Sequence, residues 1–161
     1  MFCTVKDAAS WWALLLALSF LPSPAVAGET IPLRIIDGDT LVLDGETIRM
    51  SGIDAPELAQ ICFDQHQRAV RCGVRAKRHL ERLAGRGPVH CSSGKRDVYG
   101  RQLATCTAGG IDLNAQMVRD GHAFAFRRYS DRYIGEEAKA RRDQAGLWSG
   151  QAEEPWAYRT R

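Results

Sequence analysis

Apolar and polar positions alternate along the stretch from Ile31 to Ser51 in three short runs, Leu33 to Ile36, Thr40 to Leu43 and Thr47 to Ser51. A period of two predicts strands, because successive side chains on an extended chain face opposite sides. Asp44-Gly45 separates the second run from the third, and this dipeptide suits a two-residue hairpin turn, whose central residues need positive φ. The next periodicity is helical. Cys72, Ala76, Leu80 and Leu83 recur at steps of three and four, and Gly85 with Gly87-Pro88 stops the pattern, which predicts a helix over 72–84. Val89 to Ser92 and Leu103 to Ala108 read as a second strand pair joined by a longer loop, and Gly109-Gly110 turns the chain again. Asp112 to Asp120 follows as a short helix with Leu113, Met117 and Val118 on one face and Gly121 as its stop. The apolar run Ala123 to Phe126 is a short strand or an extended link. Ser130 is the expected N-cap of a third helix that runs to Gln144 and ends at Gly146. Strands clustered first, with helices interrupting later, do not alternate as a parallel sheet requires. The order fits an α+β fold, a small closed barrel of about five strands of the OB type with three packed helices.

Ahead of these elements lies the apolar block Trp11 to Leu21, which ends at Pro22. It is shorter than the roughly 20 apolar residues a membrane-spanning helix needs. With Ala25-Val26-Ala27 behind it, the block has the form of a secretory signal peptide, so residues 1–27 are expected to be cleaved after Ala27. An uncleaved anchor is the rival reading. Residues 28–161 then form one domain, secreted or periplasmic, expected to be a monomer with no stable membrane association. Cysteine usage agrees with export. Cys3 leaves with the signal, and Cys62, Cys72, Cys91 and Cys106 remain as an even set. Four cysteines allow three pairings. Cys62 with Cys72 and Cys91 with Cys106 is favoured, since the first closes a short loop and the second joins two segments that read as neighbouring strands. No Cys-x-x-Cys occurs, which argues against zinc. The net charge of +3 neither demands nor excludes a polyanionic partner. Its distribution says more: Lys and Arg crowd the span Arg68 to Arg86, and Arg127, Arg128, Arg132, Lys139, Arg141 and Arg142 crowd the C-terminal part.

Three segments carry candidate chemistry. Asp37-Gly38-Asp39-Thr40 sets two carboxylates about a glycine where a strand turns, and oxygen donors at a tight bend suit a hard cation such as calcium. Asp-Gly is also common turn chemistry. The second segment, Arg49-Met50-Ser51-Gly52-Ile53-Asp54-Ala55-Pro56-Glu57, offers a strand-borne Arg, an Asp five residues later and a Glu beyond a proline that fixes the backbone. Asp97-Val98-Tyr99-Gly100-Arg101 adds a second Arg at the start of a strand. Hydrolysis of a phosphodiester needs a carboxylate to orient or deprotonate water, a cation, and guanidinium groups that bind phosphate bidentately. The histidines His66, His79, His90 and His122 are scattered, and none is needed for this chemistry.

D-G-D-T, then R-x-x-x-x-D-x-P-E, then D-x-Y-G-R, in this order, resemble the staphylococcal (micrococcal) nuclease family, and the similarity runs from Ile31 to Gly146-Leu147-Trp148. The resemblance implies calcium as cofactor. It implies Asp39 and Asp54 as calcium carboxylates, the Ala55 backbone carbonyl as a further ligand where the family has Thr, and Asp37 as an outer-shell acid. Glu57 matches the residue that activates or orients the attacking water, and Arg49 and Arg101 match the two phosphate clamps. Tyr99 and Tyr129 lie where the family places aromatics near the nucleotide, although Val98 replaces a lysine and Cys62 and Cys72 have no counterpart. By this analogy the substrate is single-stranded DNA or RNA, cut without sequence preference to leave a 3′-phosphate. The alternatives are a catalytically silent binding module of the same fold, whose signature would be loss of Glu57 or either Arg, and a protein named for an exopolysaccharide gene context.

Overall fold

The computed structural model describes Met1, residues 33–92 and residues 94–161. The expected signal segment and its cleavage point after Ala27 lie outside the described residues, as do Ile31 and Pro32. The strands are β1 (Arg34–Ile35), β2 (Thr40–Leu43), β3 (Glu46–Met50), β4 (Ile53–Asp54), β5 (Ile61–Phe63), β6 (Ala69–Arg71), β7 (Val89–Cys91), β8 (Gln102–Ala104), β9 (Cys106–Ala108), β10 (Ile111–Asp112) and β11 (Phe124–Ala125). The helices are α1 (Cys72–Ala84), α2 (Leu113–Arg119), α3 (Ile134–Arg142) and α4 (Pro155–Tyr158), with a 3-10 turn at Gly146–Ser149.

β2 and β3 form the expected hairpin. Asp44 and Gly45 both take positive φ, 51° and 81°, so the turn twists with its strands, and the register pairs Thr40 with Arg49. β1 adds antiparallel to β2, and β8 adds parallel to β3 with Arg49 opposite Leu103. A second ladder runs β10-β9-β7, and β4 pairs with β11, and β5 with β6, as separate two-stranded ladders. β8 and β9 are one run of chain broken at Thr105, which carries the first ladder into the second. The α+β class is as expected, but the barrel reading needs revision: among the described residues the ladders form no closed ring, and the strands are shorter and more numerous than five. Three helices become four, with α4 beyond the last one expected.

The core explains the helix periodicity. Ala76, Leu80 and Leu83 of α1 bury against Leu41, Ile48 and Met50 of the hairpin and against Leu113, Met117 and Val118 of α2. Asp112 caps α2 by accepting from the Ala115 N–H at 2.9 Å. Asn114, fully buried, accepts from the Cys106 N–H at 3.0 Å and donates to the carbonyls of Ser51 (2.9 Å) and Ala104 (3.1 Å). One satisfied amide thereby ties α2 to the bend between β8 and β9. α3 begins later than expected. Ser130 accepts from the Arg132 N–H at 3.1 Å and shapes a turn, while Tyr133 stands at the N-cap position and the helix ends at Arg142. Cys62 is bonded to Cys72 and Cys91 to Cys106, and the second pair spans directly opposed residues of β7 and β9.

His79 and His122 stack with ring centroids 4.1 Å apart. His79 accepts from Arg82 at Nδ1 (2.9 Å) and donates from Nε2 to Asp120 (2.7 Å), the pattern of a neutral ring. Burial, reinforced by the adjacent His79, pushes the His122 imidazole down to about 4, and burial also lowers that of His79. The unfolded chain protonates these rings near pH 6.5 and the folded chain does not protonate His122 until about pH 4. Stability should therefore fall as pH drops through that interval. His122→Gln should flatten the pH dependence of the urea midpoint between pH 6.5 and 4; a dependence as steep as the parent's contradicts the assignment. Replacing Cys91 and Cys106 together with Ser should cost about 2–4 kcal/mol in the same assay, and an unchanged midpoint would show that the bond contributes nothing.

Candidate active site

The hairpin and β4 bring three of the expected side chains into contact. Asp39 closes the turn before β2, held there because Asp37 Oδ1 accepts its N–H at 3.0 Å and because Gly38 leaves room for close packing. A Cβ at Gly38 would lie 2.6 Å from the Ala55 Cβ and 2.8 Å from the Ala76 Cβ, so only glycine lets the turn sit on α1. Asp39 is 1% exposed and Asp54 0%. Buried carboxylates need partners, and Arg49 supplies them: Nη1 donates to Asp39 Oδ1 and Nη2 donates to Asp54 Oδ1 at 2.5 Å. Asp39 Oδ2 accepts the Ala55 N–H at 2.6 Å, and Oδ1 accepts the Thr40 hydroxyl at 3.2 Å. Ala55 thus meets Asp39 through its N–H. Asp37 serves the turn.

Glu57 joins the group through a residue that the sequence reading missed. Arg159, just past α4, donates from Nη1 to Glu57 Oε1 at 2.6 Å and to Asp54 Oδ1 at 3.2 Å, and from Nη2 to Asp54 Oδ2 at 2.6 Å. These bonds, those to Asp54 foremost, push the Arg159 guanidinium further toward its protonated form. Its sequence distance of 105 residues from Asp54 left no local pattern to read. The one available signal was Glu154-Pro155, a helix start that would have placed α4. Gln60, fully buried, fixes the surroundings: Oε1 accepts the Glu57 N–H at 3.1 Å and Nε2 donates to the Glu153 carbonyl at 2.8 Å.

Arg101 is held apart from this group. Its Nε and Nη2 donate to Asp97 Oδ2 at 2.8 and 2.7 Å, and its guanidinium lies over the Tyr99 ring at 5.4 Å. Hydrogen bonding to Arg101 and to the Tyr99 N–H outweighs desolvation and lowers the Asp97 carboxyl from its ordinary value. Arg101 stands one residue ahead of β8, which runs beside β3 and its Arg49. Tyr99 and Tyr129 are both exposed, and Tyr129 meets Phe126 edge-on at 5.0 Å. Each exposed tyrosine carries a guanidinium over its ring, Tyr99 that of Arg101 and Tyr129 that of Arg128.

The acids at the centre offer oxygen donors alone, the chemistry of a hard divalent cation. Among the described residues no group of three His, Cys, Asp or Glu is arranged around a common point. Asp39 and Asp54 share the counter-charge of Arg49, and Asp54 and Glu57 share that of Arg159.

Residues 47–150 match the family described as "Staphylococcal nuclease homologue". The chain is 37% identical over 150 residues to "Micrococcal nuclease" of Shigella flexneri, covering 82% of this chain and 79% of that protein. It is 34% identical over 151 residues to "Succinoglycan biosynthesis protein ExoI" of Rhizobium meliloti (strain 1021), covering 89% and 78%. Against "Thermonuclease" of Staphylococcus hyicus it is 28% identical over 126 residues, with 73% of each covered. The buried Asp39-Arg49-Asp54 group lies on the segments that carry the family's motifs, and with the extent of these matches the chain belongs to the staphylococcal nuclease family.

Proposed function

We propose that this protein is an exported, calcium-dependent nuclease that hydrolyses phosphodiester bonds of single-stranded DNA or RNA and leaves 3′-phosphates. The observation that carries this reading is the pair of buried carboxylates, Asp39 and Asp54, bridged by Arg49, with Glu57 linked to Asp54 through a shared arginine. Asp39 and Asp54 would hold the ion, with the Ala55 carbonyl beside them and Asp37 shaping the turn. Calcium, when bound, supplies positive charge against the phosphate and its developing negative oxygens.

The remaining steps belong to the chain. Arg49 and Arg101 clamp the phosphate, their planar forks matching its oxygens. For Arg101 this means exchanging Asp97 for phosphate. Glu57, with its side chain 38% exposed, can reach water. It orients the water and accepts its proton as oxygen attacks phosphorus in line. The bond from phosphorus to O5′ breaks, O5′ leaves and takes up a proton from solvent water, and the phosphate stays on the 3′ side. Tyr99 and Tyr129 offer faces on which any base can stack, in keeping with indifference to sequence. Two disulfides suit an oxidising compartment, and with the expected signal segment they support export; a monomer without stable membrane association completes the proposal. The helices of the described residues include none long and apolar enough to cross a membrane.

All of Arg49, Glu57 and Arg101 are retained, which favours an enzyme over a silent binding module. The nuclease reading is kept beside the likeness to a protein named for succinoglycan biosynthesis because Arg49 and Arg101 suit a phosphate rather than a sugar.

Glu57→Gln and Arg101→Ala should each lower turnover on single-stranded DNA by about 100-fold or more while melting near the parent; near-full activity in either would remove that residue from the mechanism. Arg49→Ala should lose activity and also about 3–5 kcal/mol of stability, because it strands two buried carboxylates. Chelation with EDTA should abolish cleavage and added calcium should restore it. Equal rates in magnesium alone count against calcium.

A further inference from the structure

The C-terminal segment is built onto the site. Gln151 exchanges backbone hydrogen bonds with Phe63 at 2.8 and 2.9 Å, Gln60 holds the Glu153 carbonyl at 2.8 Å, and Pro155 is buried. Trp156 stacks on Phe126 at 5.3 Å and meets Phe124 edge-on at 5.8 Å. Phe124 is the residue opposite Asp54 in the β4-β11 ladder. α4 then carries the chain from this aromatic anchor to Arg159, three positions on, with little freedom left to lose.

Asp54 is correspondingly crowded. Oδ1 already accepts from Arg49 at 2.5 Å and from Arg159 at 3.2 Å, and Oδ2 accepts from Arg159 at 2.6 Å. A carboxylate has about four lone-pair positions, so little of Asp54 remains for a metal. Calcium needs carboxylate oxygens at roughly 2.3–2.6 Å and repels a guanidinium on the same atoms. We infer that Arg159 is a tethered counter-ion of the cation site, and that a divalent cation binds Asp54 only by displacing it. This rests on the reading of Asp54 as a cation ligand. Arg159 thereby sets the affinity of the site for its ion and holds Glu57 beside Asp54 while the ion is absent. Arg49 sits on Asp39 Oδ1 and Asp54 Oδ1 and must likewise give way to the ion, but it has the phosphate to turn to, whereas Arg159 meets only Asp54 and Glu57.

The test is calorimetric titration of calcium into the purified protein and into Arg159→Gln, Arg159→Lys and Trp156→Ala, each verified as folded by circular dichroism. Arg159→Gln should bind calcium about ten-fold more tightly, a coupling of ordinary size for two ligands sharing a site. Arg159→Lys should fall between it and the parent, and Trp156→Ala should tighten binding because the anchor is loosened. Reciprocally, saturating calcium should speed amide exchange over residues 155–161 in the parent. Equal or weaker calcium binding by Arg159→Gln, or unchanged exchange over the segment, overturns the competition while leaving the nuclease reading intact. Absence of calcium binding in parent and variants alike overturns the cation reading itself, and this inference falls with it.

Discussion

Two carboxylates closed off from water cannot stay charged without compensation, and that constraint organises this molecule. Asp39 and Asp54 are almost wholly inaccessible, and moving a charge into such surroundings costs several kcal/mol per ion unless it is paired. Arg49 meets both at once, and Arg159 takes the far side of Asp54. The chain accepts a locally unfavourable charge pair at its centre because guanidinium groups of matching geometry are held against it. A site balanced in this way is preorganised for an exchange of counter-charges, whether cation, phosphate or protein arginine.

The scaffold exists to fix those partners. A hairpin whose turn matches the strand twist sets Thr40 opposite Arg49, so the arginine and the acid that precedes β2 meet without adjustment. Gly38 allows that turn to press on α1, and the pairing of β4 with β11 sets Asp54 opposite Phe124, whose ring meets Trp156 of α4. Glu137, 2% exposed, links these layers by accepting the Ala125 N–H at 3.1 Å and pairing with Arg127 and Arg141. Asn114 does the same where β8 gives way to β9. Buried polar groups with complete partners confer a unique arrangement on a small core.

Legibility in the sequence follows how local each cause is. The hairpin and α1 were readable, because Asp44-Gly45 and the Cys72 to Leu83 periodicity act within a few residues. Both disulfides followed from chain order and the strand reading. The β5-β6 hairpin escaped notice, since each strand has three residues and the turn depends on a non-glycine at positive φ, Gln67. Ser130 misled because a good capping residue can equally shape a turn, as it does here. At the site, the motifs carry Asp39, Arg49 and Asp54, which the fold brings into contact, but no motif spacing indicates that Arg101 pairs with Asp97. Arg159 was invisible for a different reason: its role comes from tertiary docking of Trp156, and no spacing rule reaches across so much chain.

In the proposed function the carboxylate pair Asp39 and Asp54 receives the ion next to the phosphate clamped by Arg49 and Arg101. A crystal structure of the protein soaked with calcium and a nucleoside 3′,5′-bisphosphate tests that arrangement most directly. The expected result is one ion bonded to oxygens of both aspartates, a phosphate within reach of both arginines, and Glu57 facing the phosphorus across from O5′. An ion bound elsewhere, with Arg49 and Arg159 still occupying the two aspartates and the phosphate distant from Glu57, would contradict it.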